Sequence, residues 1–351
     1  MANSGKYIYG IINSNSHIQL TIPKALLPDE SDLPPAAYTI PHQDLSALVR
    51  DSNGSGSLPR TQEILARLLV GHQTVIEKIM AQGTTVIPMK LGTFVRDEDE
   101  VKAILNKGYP LFKEIMKKIV DKIEIDVVAT WSHFGDRIKD AAEDKEIKEF
   151  KERLLARPGG ATVDDQMRIG LMIKKALDEK RAGVTRDILD SLQAVSEEVR
   201  VHDLMDDRMV INAAFLIARA RHQDFEAKVE ELNRARQEEL NFRCVGPLPP
   251  YSYYTLEAKR LRFEEIERAR RKLGLLQETA TRGEIKNAHR ALAFSSHPDT
   301  RSASSPRDGE FDEITRAYNV LSEYCRKDIC SFREAEFPQN ALVIKVLDSP
   351  S

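Results

Sequence analysis

Residues 241–254 read Asn241-Phe242-Arg243-Cys244-Val245-Gly246-Pro247-Leu248-Pro249-Pro250-Tyr251-Ser252-Tyr253-Tyr254. Phe242, Cys244 and Val245 suit a short strand. Gly246 permits an unusual φ, whereas Pro247, Pro249 and Pro250 hold theirs near about −65° and offer no amide donor. The spacing therefore predicts that the ladder stops at Gly246 and the chain turns, with Tyr251, Tyr253 and Tyr254 resuming an extended aromatic segment.

Working outward, residues 207–220 carry Met209, Val210, Ile211, Ala213, Ala214, Phe215, Leu216 and Ile217 and are almost continuously apolar. Such a run fits a buried strand or a buried helix, and the strand is favoured. As a strand it pairs with residues 242–245, with Phe225, Val229 and Leu232 on the helix between them, to make an α+β unit. From residue 132 to 240 the chain is otherwise helical and charged: one helix over 136–155, a break at Pro158-Gly159-Gly160, a second helix capped by Asp164 or Asp165, and a third over 185–199.

Toward the N-terminus, residues 6–13 combine aromatic and β-branched types and read as a buried strand, with another short strand at 36–40. Ile64, Leu65, Leu68, Leu69, His72, Val75, Ile76 and Ile79 recur at helical spacing until Gly83. Residues 84–95 form a strand interrupted at Pro88 and relieved at Gly92, as at an edge or bulge. Residues 101–105 and 111–119 add helix, and 123–131 closes the region as a strand. The order of elements is that of an α+β protein. The expected domains are an N-terminal α+β domain over 1–131, a helix-rich domain over 132–261, a helical module over 262–330 and a tail over 331–351.

The 351 residues carry 52 Lys and Arg against 55 Asp and Glu, a net charge of −3, so no global field favours nucleic acid or an anionic membrane. The start lacks a basic then apolar leader, and no apolar run approaches the roughly 20 residues of a bilayer span. A cytoplasmic protein that binds neither nucleic acid nor membrane is expected. Cys244, Cys325 and Cys330 have neither disulfide nor zinc spacing. His72 reads as a packed core histidine. His202, Asp203, Asp206 and Asp207 read as a solvated connection rather than a metal cluster, and Trp131, Phe215 and Tyr251 as core or interface aromatics. No phosphate loop, nucleophile elbow or paired-Cys motif is present, so no enzyme activity, cofactor or metal is expected.

Several landmarks occur in order: Tyr7-Ile8-Tyr9-Gly10-Ile11, His72 on a helix, Val86-Ile87-Pro88-Met89-Lys90-Leu91-Gly92-Thr93, the strand from Glu124 to Trp131, Asn212-Ala213-Ala214-Phe215-Leu216-Ile217, Phe225, and Gly246-Pro247-Leu248-Pro249-Pro250-Tyr251. Together they resemble the GvpF/GvpL family, which accompanies gas vesicle assembly, over residues 6–261. The resemblance implies helices around a small ferredoxin-like sheet in the second domain and no catalysis. It also implies binding of GvpA, the small hydrophobic shell subunit, with limitation of its aggregation. It marks Pro88, Gly92, Gly246, Pro247, Pro249, Pro250 and Tyr251 as structural positions.

Beyond residue 261 the pattern changes. Phe263, Ile266, Arg270 and Leu273 mark a short helix ended by Gly274. Thr281 and Glu284 form a capping box for a helix burying Ile285, Ala288 and Leu292, and Phe311, Ile314, Ala317, Tyr318 and Leu321 mark another. Between the last two stand His297, Pro298 and Asp299. Two antiparallel helices joined by His-Pro-Asp resemble the J domain of DnaJ-type co-chaperones. The resemblance implies contact with a DnaK-type chaperone through His297, Pro298, Asp299 and the basic face of Arg282, Lys286 and Arg290. Ser295, Ser296 and Thr300 depart from the usual residues, which leaves open the alternative of a minor structural component of the vesicle shell with a non-productive J-like module. The apolar tail at 341–347 is expected to return to an open sheet edge of the preceding domain.

Overall fold

The computed structural model describes residues 5–27, 34–53, 61–158, 160–236, 239–296, 308–325, 328–338 and 341–347. They divide into two compact units, the second being Leu256–Val346. In the first unit, β1 (Gly5–Ile12), β2 (Gln19–Thr21), β3 (Ala36–His42), β4 (Leu45–Ser52) and β5 (Val86–Pro88) form an antiparallel sheet ordered β2-β3-β4-β1-β5, with β6 (Phe94–Val95) also on β1. Helix α1 (Gln62–Met80) buries Leu68, His72, Val75, Ile76, Ile79 and Met80. The two helical stretches expected at 101–105 and 111–119 are one helix, α2 (Glu98–Ile119), that passes through Pro110. Pro110 and Asn106 are both exposed, so the carbonyl that Pro110 cannot serve faces water.

The second sheet of this unit holds β7 (Lys122–Trp131), β8 (Glu198–Val201), β9 (Met209–Ala218) and β10 (Leu240–Leu248), ordered β10-β7-β9-β8. In chain order these are the fourth, first, third and second strands, and helices connect the first to the second and the third to the fourth: the ferredoxin-like arrangement. The run at 209–218 is the favoured strand. Its neighbours correct the expected pairing: β7, placed by sequence at the end of the first domain, lies between β9 and β10, so those two strands flank it and do not touch as partners.

The connecting helices also differ from the sequence reading. The helix expected over 136–155 is two, α3 (Phe134–Ala142) and α4 (Lys145–Leu155), because the Asp144 side chain accepts the Glu146 N–H and starts a new one. The two helices expected beyond residue 164 are a single α5 (Val163–Gln193). Thr162 caps it, in a reciprocal box with Asp165, and Gly183 in its middle costs only about 1 kcal/mol of propensity, too little to break a helix whose Val184, Ile188 and Leu192 are buried. Helix α6 (His222–Ala235) then buries Phe225 and Val229. One apolar core runs from Tyr7 and Ile76 to Phe215 and Phe225.

The second unit holds β11 (Leu256–Arg260), α8 (Phe263–Lys272), β12 (Thr279–Thr281), α9 (Arg282–Ser296), α10 (Asp308–Tyr324), β13 (Ile329–Ser331) and β14 (Leu342–Val346), after the short α7 (Tyr251–Tyr254) that ends the first. The C-terminal strand does return: β14 pairs antiparallel with β11, not with the four-stranded sheet. Gly274, at φ +68°, ends the turn after α8 in a conformation that glycine adopts at little cost. Ile266, Leu273, Ile285, Ile314 and Leu321 make the core of this unit.

Candidate functional site

The Pro-rich turn does not end its strand. β10 continues past Val245 through a bulge, and Leu248 stands opposite Glu124. An edge strand with a bulge tolerates Pro247, which has no amide to give the ladder. Gly246 sits in a tight place, since a Cβ there would fall 2.4 Å from Ile125 Cδ1, which would have to move, and 3.0 Å from the Glu124 carbonyl oxygen. The Gly246–Pro247 bond is cis. Pro247 is exposed, whereas Leu248, Pro249 and Pro250 are buried.

The tyrosines after the prolines are helical, which corrects the expected extended segment. The Pro249 carbonyl accepts the Tyr251 N–H at 2.6 Å and the Pro250 carbonyl the Tyr254 N–H at 2.9 Å. Glu124, on central strand β7 and 1% exposed, accepts the Ser252 N–H and the Ser252 hydroxyl, both at 2.9 Å. Burial first, and the nearby Asp126 second, push the Glu124 carboxyl up to about 8; burial raises Asp126 as well. His202 Nε2 lies 3.2 Å from Ser252 Oγ, and Arg200 donates to the Ser252 carbonyl at 2.6 Å. The Arg200 guanidinium stands 4.8 Å above the Tyr253 ring. The Tyr253 hydroxyl reaches the Ala214 carbonyl at 2.8 Å and that of Glu198 at 3.0 Å, so one side chain ties α7 to β9 and β8. Tyr251 packs on the apolar core, where burial raises its phenol above the usual range.

The earlier motif positions gather around a second buried polar contact. Pro88 is buried opposite Gly10 on β1. Gly92 adopts φ +84° and aims its N–H at the Tyr7 hydroxyl, 3.5 Å away. The Tyr7 hydroxyl lies 2.7 Å from His72 Nδ1, and burial holds the imidazole down at about 4. His72 is thus a neutral core residue. Helix α7 packs against β5, so the two sets of motif residues meet within this unit. His202 turns to Ser252, and the three acids beside it serve other roles: Asp206 accepts the Arg208 and Met209 N–H groups, and the Asp203 and Asp207 carbonyls accept from Asn212 and Arg181. Among the described residues no group of three His, Cys, Asp or Glu side chains could hold a metal, and no helix is long and apolar enough to cross a membrane.

In the second unit the capping box is formed, with Glu284 N–H to Thr281 Oγ1 at 3.1 Å and Thr281 N–H to Glu284 Oε2 at 2.7 Å. It fixes the start of α9. Ile285 is buried, Ala288 and Leu292 pack on the core, and His289 stacks on Tyr318 of α10 with centroids 4.3 Å apart. Arg282, Lys286 and Arg290 recur every four residues, all exposed, and make no ion pair among the described residues. His297, Pro298 and Asp299 lie outside the described residues. Sequence reasoning missed Glu124, Arg200 and Ser252; the one available cue was two acids, Glu124 and Asp126, on the same face of an otherwise apolar strand.

The sequence family described as gas vesicle synthesis protein GvpL/GvpF matches residues 5–255, and the DnaJ domain matches residues 271–329. The chain belongs to the GvpL/GvpF family and carries a DnaJ domain behind the family body. Gas vesicle protein F of a Streptomyces species is 30% identical over 248 residues, which are 70% of this chain and 98% of that protein. Gas vesicle protein F2 of Halobacterium salinarum is 24% identical over 72% of this chain and 93% of its own length. The crystal structure of GvpF from an Anabaena species superposes with a TM-score of 0.61 at 21% identity, over 71% of this chain and 98% of that one. GvpF from Microcystis aeruginosa gives 0.55 with the same coverage. The α+β fold is that of these structures.

Proposed function

We propose that this chain is a non-enzymatic assembly factor that binds the gas vesicle shell subunit GvpA, limits its aggregation, and brings a DnaK-type chaperone to it through the J domain. The observation that carries this reading is the joining of a GvpL/GvpF body and a DnaJ domain in one chain. A client must meet backbone donors and apolar surface together. A place that offers both lies where β8 ends its sheet: a groove of about 600 Å³ beside it has an apolar part of Leu189, Val201, Leu204, Val210 and Ile211 and a charged rim that includes Asp178, Arg181, Arg186 and Asp190. An added strand would pair with the free edge of β8 while its side chains enter the groove. Pro88, Gly92, Gly246, Pro247, Pro249, Pro250 and Tyr251 act as framework that holds this sheet to the first one.

Full-length chain is expected to retain solubilised GvpA in a pull-down, and Val201→Asp or Leu204→Asp to weaken retention; no retention by the wild type removes the client half of the proposal. For the chaperone half, the chain should stimulate DnaK ATPase, and Asp299→Asn should abolish the stimulation. An Asp299→Asn protein as active as wild type takes the tripeptide out of the mechanism. Washed, floated vesicles distinguish the roles, since an assembly factor is lost on washing and a shell component stays.

A further inference from the structure

The first half of α5 is apolar on two opposite sides. One side, Ile169, Met172, Ile173 and Ala176, is half-buried, and the helix packs against α3 and α4. The other side carries Val163, Met167 and Leu171 at a spacing of four, 72%, 64% and 67% exposed, with Leu155 at the end of α4 84% exposed. A run of this kind is the signature of a covered surface, because isolated exposed apolar residues need no partner but a helical stripe does. Gly170 sits on the same side with nothing within 4 Å of where a Cβ would stand, so another backbone can approach closely there. Asp164 flanks the stripe at its start and Lys174 continues it, and neither makes an ion pair among the described residues.

We infer that two copies of this chain associate through this face, with the first halves of their α5 helices antiparallel about a two-fold axis at the level of Ile169. Residues 164 and 174 are equally spaced about 169, and so are 167 and 171. One antiparallel alignment therefore sets Met167 of each copy against Leu171 of the other and, at the same time, Asp164 of each against Lys174 of the other. A two-fold axis generates every contact twice, as an isologous interface requires. The acid and the base at matched distances from one centre complement this chain itself; an apolar client would have no use for either. Charge at the ends also sets direction, because a parallel alignment would place Asp164 on Asp164 and Lys174 on Lys174.

Sedimentation equilibrium of the full chain tests this. The wild type should show a concentration-dependent dimer. Asp164→Lys alone and Lys174→Asp alone should each weaken it by more than about tenfold through two like-charge pairs, and the double exchange D164K/K174D should restore it to within about threefold. Met167→Glu should leave a monomer with an unchanged circular dichroism spectrum, since Met167 has no part in the protomer core. A wild type that stays monomeric at high concentration overturns the inference. So does a dimer indifferent to the single reversals, or one that the double exchange fails to rescue. If Met167→Glu removes GvpA binding from a monomeric wild type, the stripe is a client surface and the dimer is wrong.

Discussion

Replacing Tyr253 with alanine should destabilise the first unit by about 3–5 kcal/mol, the range for losing a fully buried aromatic ring. The ring is 1% exposed and packs with Ala214 and Leu216 of β9. Truncation leaves a cavity where α7 meets the sheet, and in addition strips a hydroxyl from the Ala214 and Glu198 carbonyls and the aromatic face from under Arg200. Tyr253→Phe keeps the ring and loses only the hydroxyl, so its cost should be about 1–2 kcal/mol, that of one buried hydrogen bond. Trp131 is the chain's one tryptophan and lies buried on β7, so its fluorescence in a urea titration reports this unit separately from the J domain. A loss below about 1 kcal/mol for Tyr253→Ala would mean that the turn only decorates the sheet.

The local parts of this fold were legible in the chain. The helical spacing of Leu68, His72, Val75, Ile76 and Ile79, the apolar run at 209–218 and the capping box of Thr281 and Glu284 all depend on residues a few positions apart, and each is present. What was not legible depends on distant residues. β7 reads as the last strand of an N-terminal domain because nothing within it names its partners, which lie near residues 213 and 244. The three tyrosines suit a strand by type, yet Glu124, 128 residues away, draws Ser252 into a helical turn. The sequence reads as one helix from Asp164 or Asp165 and another over 185–199, but the burial of Leu177, Val184, Ile188 and Leu192 along one face joins them into α5.

The same division holds for the candidate sites. Arg282, Lys286 and Arg290 are readable as one face because a helix repeats every 3.6 residues, and all three are exposed on α9. The Glu124, Ser252, His202 and Arg200 network draws on β7, on β8 and the residue after it, and on α7, so only the folded chain assembles it. Its position also explains why the Pro-rich turn matters: the prolines deliver Ser252 and Tyr253 to the face of a sheet whose far edge is β8.

Acidification should cost the first unit about 3 kcal/mol between pH 6.5 and 4 through His72 alone. Burial holds this imidazole at about 4 in the native state, against an ordinary 6.5 in the unfolded chain. In that window the unfolded state binds the extra proton, so stability is complete above pH 6.5 and falls as pH falls; 2.5 units at about 1.4 kcal/mol each give the magnitude. His72→Gln keeps an acceptor near the Tyr7 hydroxyl and cannot charge, so its stability should lack this loss. Glu124 opposes it. With its carboxyl raised from 4.5 to about 8, the native state binds the extra proton there, and stability falls as pH rises through that interval. Between 4.5 and 6.5 the two slopes therefore offset each other, and Glu124→Gln should remove the larger part of the offset and steepen the acid slope that His72 sets. Tryptophan-monitored urea titrations from pH 4 to 8 on the wild type, His72→Gln and Glu124→Gln separate the two groups. A His72→Gln profile parallel to wild type across the acid half would show that the buried imidazole finds a way to keep its proton.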